Sequence, residues 1–233
     1  MNEKTFVCAG FGQEFLPAYT VESKLSPASM KYKIVGGERQ SVEIYLDAGE
    51  EVKSESSAME YRIGQVHIET KYNWRLLFNW EWDGFQGFGF DNVYQNVGND
   101  IATVCISPRN GGQILAIDLS IYGSLLVTPG LFWASLGNIQ STYKVQSHTD
   151  LIQISGTGIV FLTGHGCLNL IHLRDCDEMF LEFDTLVGFN ANMRYDYRYE
   201  TSSNCLTFCL GGQSIYGKFV NGPGIVITQS MRK

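Results

Sequence analysis

Apolar and polar residues alternate along most of the chain, in short segments separated by turns that contain glycine. Ile44-Tyr45-Leu46 and Ile117-Asp118-Leu119 are two examples. A period of two places one side of an extended strand against a core and the other side toward water, whereas a helix repeats about every 3.6 residues. Turn residues return about every 8–12 positions, which is typical of sandwiches and barrels. The pattern therefore predicts an all-β protein.

The same alternating pattern occurs three times. Leu46, Leu119 and Leu173 take equivalent positions, so the copies are offset by 73 and 54 residues. With these offsets four further sets align without a gap: Ile44, Ile117 and Ile171; Val52, Leu125 and Met179; Met59, Phe132 and Leu186; Val66, Ile139 and Met193. A fixed period indicates a repeated module, the alternative being chance agreement among apolar residues. We predict three pseudo-threefold repeats of β-sandwich or double-stranded β-helix type in one compact body.

The domain organisation follows from where the repeats begin. Residues 30–34 read as an edge strand that leads into Gly36-Gly37, so we predict an N-terminal extension at 1–29 and a single three-repeat β domain at 30–233. The repeats cover about residues 30–100, 101–155 and 156–233. The extension is either a loosely attached segment with one extra strand or an arm that docks on a partner or a second copy of the chain.

Glycine and polar residues also predict specific turns. The sequence DAGE at residues 47–50 is expected to form a hairpin turn. Gly156-Thr157-Gly158 and Gly222-Pro223-Gly224 are expected to be the same turn in two copies, each preceding a new strand.

An insertion at residues 73–92 interrupts the first repeat and explains why the first offset exceeds the second. Its candidate interaction surface comprises Trp74, Leu77, Phe78, Trp80, Trp82, Phe85, Phe88 and Phe90. Leaving the seven aromatic side chains of the insertion in water would forfeit on the order of 35 kcal/mol as an upper bound, so they must be covered. The insertion either caps its own sandwich or covers a neighbouring subunit, a ligand or a membrane surface. Arg75, Glu81 and Asp83 argue against deep insertion into lipid.

Charge and cysteine content narrow the function classes. The formal net charge is −7, which opposes binding to nucleic acid and provides no polybasic patch for an anionic membrane. The apolar runs are shorter than the ~20 residues of a membrane helix, so we expect no integral membrane segment, while peripheral contact through 73–92 stays open. Six cysteines without a secretory signal or an Arg-rich transit peptide predict a cytoplasmic protein with reduced thiols.

The sequence shows no arrangement typical of catalysis or metal binding. A cupin-like metal site needs a His-x-His pair, and the nearest fragment is His67 with Glu69 on one face of a strand. A second set does not match the usual zinc spacing: His165, Cys167, His172 and Cys176. There is no Gly-x-Ser-x-Gly motif, and the glycine-rich pieces lack the lysine of a phosphate loop. We expect a protein that is not an enzyme and that holds no cofactor or metal.

Several segments in this order resemble a known family. They are MKYKI at 30–34 with Gly36-Gly37, LDAGEEV at 46–52, TPGLFWAS at 128–135, GTGIVFL at 156–162, LVGF at 186–189 and GPGIVI at 222–227. Together they are similar to the altered-inheritance-of-mitochondria protein 24 family over about residues 30–233, a family long known only as a domain of unknown function. The resemblance implies a unit like the tryptophan RNA-binding attenuator protein, triplicated, without catalytic residues. It also implies a link to mitochondrial inner-membrane organisation for the branch that carries a presequence, and a loop with basic residues where this chain is aromatic.

The leading hypothesis is a non-enzymatic β scaffold or assembly protein that self-associates or binds a protein partner through residues 73–92. The alternative is a small-molecule binding module with an apolar pocket between repeats, lined in part by Trp74, Trp80 or Trp133. A cupin-like metalloenzyme is a third hypothesis, which would require retained metal.

Overall fold

The alternating segments form antiparallel strands in three sheets, as the computed structural model of the chain shows. It describes residues 16–17, 31–72, 90–109, 111–146, 149–175, 177, 179–199, 215–220 and 223–230. The strands are β1 (Leu16–Pro17), β2 (Tyr32–Gly36), β3 (Gln40–Leu46), β4 (Glu51–Glu55), β5 (Met59–Ile63), β6 (Val66–Tyr72), β7 (Phe90–Asn96), β8 (Ala102–Ile106), β9 (Gln113–Asp118), β10 (Leu125–Val127), β11 (Phe132–Gln146), β12 (Thr149–Gly164), β13 (Leu168–Leu173), β14 (Met179–Glu182), β15 (Leu186–Asn190), β16 (Arg194–Tyr199), β17 (Ile215–Val220) and β18 (Gly224–Gln229). A one-turn helix α1 (Leu119–Tyr122) and a 3-10 turn (Phe183–Thr185) complete the described elements. The prediction of an all-β protein is confirmed.

The largest sheet has eleven strands in the order β1-β13-β18-β15-β10-β12-β11-β4-β7-β6, with β9 attached to β12. A four-stranded sheet runs β2-β3-β8-β5, and a three-stranded sheet runs β14-β17-β16. Strand β1 of the N-terminal extension pairs with β13, Leu16 lying opposite Leu170. Strand β2 lies at an edge of its sheet, as the sequence predicted for residues 30–34.

One pairing scheme recurs along the chain, and we call β2–β8 the first copy, β9–β12 the second and β13–β18 the third. In the first copy β3 pairs with β8, in the second β9 pairs with β12, and in the third β13 pairs with β18. The register is the same each time. The paired residues are Ile44 with Val104, Ile117 with Val160, and Ile171 with Val226.

A β-bulge also recurs, because the register shifts between Met59 and Tyr61, between Phe132 and Ala134, and between Leu186 and Gly188. Met59, Phe132 and Leu186 are residues that the sequence places in equivalent positions. A bulge bends its strand and raises the local twist. Superposition of the copies about a threefold axis stays a prediction.

The turn at residues 47–50 is present, but it is not a hairpin turn. The Glu50 amide donates to the Asp47 carbonyl at 3.0 Å, and Lys31 Nζ bonds both Asp47 Oδ2 at 2.5 Å and Glu50 Oε2 at 2.8 Å. The turn carries the chain from β3 in the four-stranded sheet to β4 in the eleven-stranded sheet. It is therefore a corner between sheets, which the Lys31 side chain and backbone hydrogen bonds to Asn96 stabilise.

Gly156-Thr157-Gly158 lies within the sixteen-residue strand β12, so the prediction of a turn before a new strand is wrong. The φ angles of Gly156 and Gly158 are 122° and 137°, and Gly137 opposite Gly158 has a φ of 102°. A Cβ on Gly156 would overlap the carbonyl oxygen of Asn138. Glycines inside a strand mark a bend or a close backbone approach. The long β11–β12 ribbon thus bends where the sequence suggested a break.

The second copy departs from the strand pattern at Leu119, which begins α1 instead of ending β9. The Asp118 carboxylate accepts a hydrogen bond from the Ser120 amide at 2.8 Å, a common N-terminal cap. The Gly123 amide donates to the Leu119 carbonyl at 2.8 Å and ends the turn. Leu119 keeps its place in the core because it is 3% exposed.

The buried side chains of the described residues form three clusters, and each of them combines residues of neighbouring copies. The first contains Val42, Ile44 and Val52 of the first copy with Phe161 and Trp133 of the second. The second joins β9–β12 to side chains of the third copy: Leu168, Leu170, Ile225 and Ile227. The third is centred on the third copy, with Leu126 and Leu151 of the second. Burial of apolar surface between copies thus stabilises the fold together with strand pairing.

We predict that Gly156→Ala lowers the free energy of unfolding by about 2–5 kcal/mol, the sum of left-handed backbone strain and steric overlap. Gly49→Ala is the matched control, because Gly49 has a φ of 81° and a methyl group added there would meet nothing within 4 Å. It should cost only about 1–2 kcal/mol. Urea unfolding measures both, and equal losses would show that the contact with Asn138 is unimportant.

Candidate functional site

Two seams join the copies by strand pairing. At the first seam β4 pairs with β11, Ser54 lying opposite Ala134. At the second seam β10 pairs with β15, Leu125 lying opposite Asn190. β4 and β10 are equivalent strands by the sequence offsets, and so are β11 and β15. Each seam therefore joins the same two kinds of strand.

A glutamine side chain adds a second bond at each seam. Gln40 Oε1 accepts a hydrogen bond from the Ile114 amide at 2.7 Å, and Gln113 Oε1 accepts one from the Leu168 amide at 3.2 Å. The two glutamines are equivalent by the sequence offset. The corresponding residue of the third copy is Cys167, which is exposed. The third copy therefore lacks the side chain that makes this bond.

Strand β5 is the first copy's counterpart of β11 and β15, and its surroundings differ from theirs. Residues 133–136 of β11 and residues 187–190 of β15 are all buried, whereas residues 60–63 of β5 are all exposed. Among the described strands β5 pairs with β8 alone and ends the four-stranded sheet. The first copy therefore leaves its β5 edge exposed, whereas the equivalent edges of the second and third copies are covered.

The sheet surface beside this edge carries a polar face, which we define as Ser41, Glu43, Tyr45, Glu60, Tyr61 and Cys105. Tyr61 Oη donates to Glu43 Oε1 at 2.6 Å, and Tyr45 Oη donates to Glu43 Oε2 at 3.1 Å. Ser41 Oγ donates to Glu60 Oε1 at 2.7 Å, and Cys105 Sγ donates to Glu60 Oε2 at 3.6 Å. Each carboxylate is thus held by two neutral donors.

Three positions of this face that are polar in the first copy are apolar in the second. Ile114, Ala116 and Ala134 occupy in the second copy the places of Ser41, Glu43 and Tyr61. Phe161 faces Ala116 as Cys105 faces Glu43. Phe161 and Ile114 pack into the first core cluster. The polar face therefore replaces a surface that is buried at a seam elsewhere in the molecule.

Hydrogen bonding fixes the charge states of the polar face. The bond from Tyr61 lowers the pKa of Glu43, and the bond from Ser41 lowers the pKa of Glu60. The bond to Glu43 raises the pKa of Tyr61, and burial raises the pKa of Cys105 to about 11. A thiol with a raised pKa is a poor nucleophile at neutral pH. The polar face therefore combines two carboxylates of lowered pKa with a tyrosine and a cysteine of raised pKa.

The histidines singled out in the sequence lie apart from this face. His67 and Glu69 are exposed on β6, and Glu69 pairs with Lys71 at 3.3 Å. His172 is exposed with its ring 6.2 Å from that of Tyr122, and Cys176 lies outside the described residues. Within the described part of the chain no three His, Cys, Asp or Glu side chains gather as metal ligands.

The aromatic insertion begins and ends at a regular hairpin. Residues 73–89 lie outside the described residues, and of the candidate interaction surface only Phe90 belongs to a described strand, where it pairs with Tyr72. Strand β6 is the last in the order of the eleven-stranded sheet. Thr70 Oγ1 donates to Asn92 Oδ1 across this hairpin at 2.9 Å. The segment is therefore an addition at the tip of a hairpin at the sheet edge.

Two other hairpins have the same place in their copies, which the sequence reading missed. Gln146 pairs with Thr149 at the end of β11–β12, and Tyr199 pairs with Ile215 at the end of β16–β17. The intervening residues are 147–148 in the second copy and 200–214 in the third. Extending the sequence offsets past Val66, Ile139 and Met193 would have found this correspondence.

Trp133, proposed to line a pocket between repeats, lies between the first two copies but within the core. It is 3% exposed, and its ring centroid is 6.4 Å from that of Phe161. Its Nε1 is buried and has no hydrogen-bond partner among the residues that the structure describes. Trp74 and Trp80 lie outside the described residues.

Comparison with known proteins identifies relatives for sequence and fold. The sequence matches the family model described as "Mitochondrial biogenesis AIM24" over residues 32–231. The fold is similar to the crystal structure of a protein from Streptococcus pyogenes, with a TM-score of 0.67 and 20% sequence identity, over 86% of this chain and 93% of that chain. At that identity the likeness shows the fold alone. No curated protein matches the chain. Among the described residues, no helix is long and apolar enough to cross a membrane.

We predict that Tyr61→Phe raises the pKa of Glu43 toward its ordinary value of 4.5, because it removes the stronger of the two donors. A lowered carboxyl pKa stabilises the fold above the unfolded value, and this stability is lost as the pH falls through the folded value. The stability difference between native chain and variant should therefore vanish in acid. NMR titration of the Glu43 carboxyl in the native chain and in the variant measures the shift. An unchanged Glu43 pKa would contradict the bond.

We also predict that Trp133→Phe costs much less stability than the roughly 3–5 kcal/mol of Trp133→Ala. Phenylalanine retains a ring beside Phe161 and removes a buried donor whose lack of a partner costs about 1–3 kcal/mol. Urea unfolding compares the two variants, and equal losses would show that Nε1 is satisfied in solution.

Proposed function

The chain belongs to the mitochondrial biogenesis AIM24 family, and from this premise we propose that it is a non-enzymatic β scaffold that assembles through residues 73–92 with protein partners, a second copy of the chain included. The single observation that carries the proposal is the place of the aromatic segment at the tip of the β6–β7 hairpin. Its two ends are held in register by Tyr72 and Phe90.

The length of the aromatic segment is not required by the hairpin whose two strands it connects. In the second copy the same hairpin is closed by only two residues, 147–148, so the β module does not need a long segment at this place. Its aromatic content is therefore better explained by a partner than by the module's own folding.

The chemistry of the segment indicates the kind of partner. Tryptophan and phenylalanine supply large apolar contact area and are enriched at the centres of protein interfaces. The net charge of −7 opposes a nucleic acid. Glu69, Thr70 and Lys71 are exposed beside the segment and would form a polar rim around an apolar contact.

A small-molecule binding module is a second candidate, favoured by Trp133. A ligand that offers a carbonyl or carboxylate oxygen between the first two copies would satisfy the Nε1 donor. A thermal-shift screen with carboxylates and amides tests this candidate. Stabilisation of the native chain and not of Trp133→Phe would support it.

The scaffold proposal predicts the effect of replacing residues 73–89 by the Ser-His dipeptide of residues 147–148. Because Tyr72 and Phe90 are paired as Gln146 and Thr149 are, a two-residue turn should close the hairpin. We expect the far-ultraviolet circular dichroism spectrum to be retained. The weight-average mass measured by sedimentation velocity should fall below that of the native chain.

The matched control replaces residues 200–214 of the third copy by the same dipeptide. That segment is of similar length but contains a single aromatic residue, Phe208. Its removal should leave the mass of the assembly unchanged. Association that survives the loss of 73–89, or that falls equally in both variants, would refute a specific role for the aromatic segment.

A further inference from the structure

The two formed seams determine how a third one would be built. The third copy's counterpart of β4 and β10 is β14, and the first copy's counterpart of β11 and β15 is β5. By the sequence offsets Ser54 corresponds to Leu181, and Ala134 corresponds to Tyr61. A third seam in the register of the pair Ser54–Ala134 would therefore place Leu181 opposite Tyr61. Transferring the pair Leu125–Asn190 places Met179 opposite Ile63. Both transfers give one register, although they come from different seams.

Both strands lie at sheet ends in the described part of the chain. β5 is the last strand of β2-β3-β8-β5, and β14 is the first of β14-β17-β16. β4 and β10 already have strands on both sides, since β4 pairs with β7 and β11, and β10 with β12 and β15. Among the three equivalent strands β4, β10 and β14, β14 is therefore the one that pairs with a single described strand.

The edge of β5 exposes apolar surface that its counterparts bury. Ile63 is 63% exposed, while the equivalent Leu136 is 8% exposed. Tyr61 is 41% exposed, while the equivalent Ala134 is 1% exposed. Ile101, which is 65% exposed, adjoins the end of β5 because a Cβ on Gly64 would lie 3.8 Å from its carbonyl oxygen. Exposed apolar side chains on an unpaired strand edge favour pairing with another strand.

We propose that the edge of β5 pairs antiparallel with β14 of a second copy of this chain, with Ile63 opposite Met179 and Tyr61 opposite Leu181. The pairing continues the interface that already joins the copies within the chain. It places two apolar side chains of β5 beside two apolar side chains of β14, and such cross-strand pairs stabilise a sheet. Two chains that exchange these edges in both directions form a closed twofold dimer.

The described structure explains why the partner is a second chain and not the same one. Within the chain β5 and β14 end two different sheets. None of the three core clusters formed by the described residues combines side chains of the first copy with side chains of the third. The third copy also has Cys167 in the place of the seam glutamine. The described part of the chain therefore leaves both edges for a strand of another chain.

This inference deepens the scaffold proposal and shares with it only the requirement that chains associate. Its residues, β5 and β14, are distinct from 73–89. A crosslink between them is expected with or without the aromatic segment, so the two proposals fail separately.

The test is disulfide trapping in a mixture of two full-length single variants, Ile63→Cys and Met179→Cys. Cα atoms of residues paired in an antiparallel sheet lie about 4.5–5.5 Å apart, within disulfide reach. We expect mild oxidation to yield a disulfide between residues 63 and 179 of different chains, identified by mass spectrometry of the peptides. Ile121→Cys mixed with Met179→Cys is the control, because Ile121 is 74% exposed but belongs to α1, which packs on β9 and β12. It should yield at most a trace of crosslink.

Absence of the 63–179 crosslink from the mixture, or an equal yield from the control, would overturn the proposal. So would a crosslink that forms only within one chain of the Ile63→Cys/Met179→Cys double variant, because it would show internal closure. As an independent readout, Ile63→Lys should raise the dissociation constant measured by sedimentation at least about tenfold, a loss of ~1.4 kcal/mol. Ile121→Lys should leave it unchanged. Equal behaviour of these two variants would also contradict the proposed seam.

Discussion

Strand pairing between successive copies is the interaction on which the structure depends. One copy by itself has a free edge at its β4-type strand and an apolar sheet face that it cannot cover. The next copy covers both, because β11 pairs with β4 while Phe161 packs among Val42 and Val52 of the first copy. The same happens where β15 pairs with β10. The stability of each copy therefore depends on contacts with its neighbours. In the described structure the middle copy pairs with a copy on each side, whereas each end copy pairs with one.

The first copy carries polar side chains on the sheet face that has no neighbouring copy in the described part of the chain. Where the second copy has Ile114 and Ala116, the first has Ser41 and Glu43. Glu43 accepts hydrogen bonds from Tyr61 and Tyr45, so its charge is compensated by polar neighbours on the surface. Strand β5 carries Glu60 and Arg62, and charges on an edge strand oppose indiscriminate pairing. Such an edge admits a strand that offers the right register and apolar contacts, and it resists others.

Local sequence patterns could predict the strands but not every connection between them. The alternation at Ile44 and Leu46 marks β3 because period two reports one buried face, and the offsets locate equivalent residues such as Ile117 in β9. The corner at residues 47–50 could not be recognised as such, because DAGE suits a hairpin and a corner equally. What decides is that β3 pairs with β2 and β8, and β4 with β7 and β11. The polar face was missed for the same reason: Glu43, Glu60 and Cys105 are far apart in sequence, and only the register of three strands brings them together.

The three equivalent hairpins show where this architecture can change without loss of its core. They start from the same place in each copy and carry 17, 2 and 15 intervening residues. Lengthening a loop costs little, since the closure entropy grows only with the logarithm of its length. The seams allow no such freedom, because one residue of slip in β4 against β11 would turn Val52 away from the core. Variation in partner recognition is therefore physically easiest at the hairpin tips, and the aromatic segment between Tyr72 and Phe90 lies at one of them.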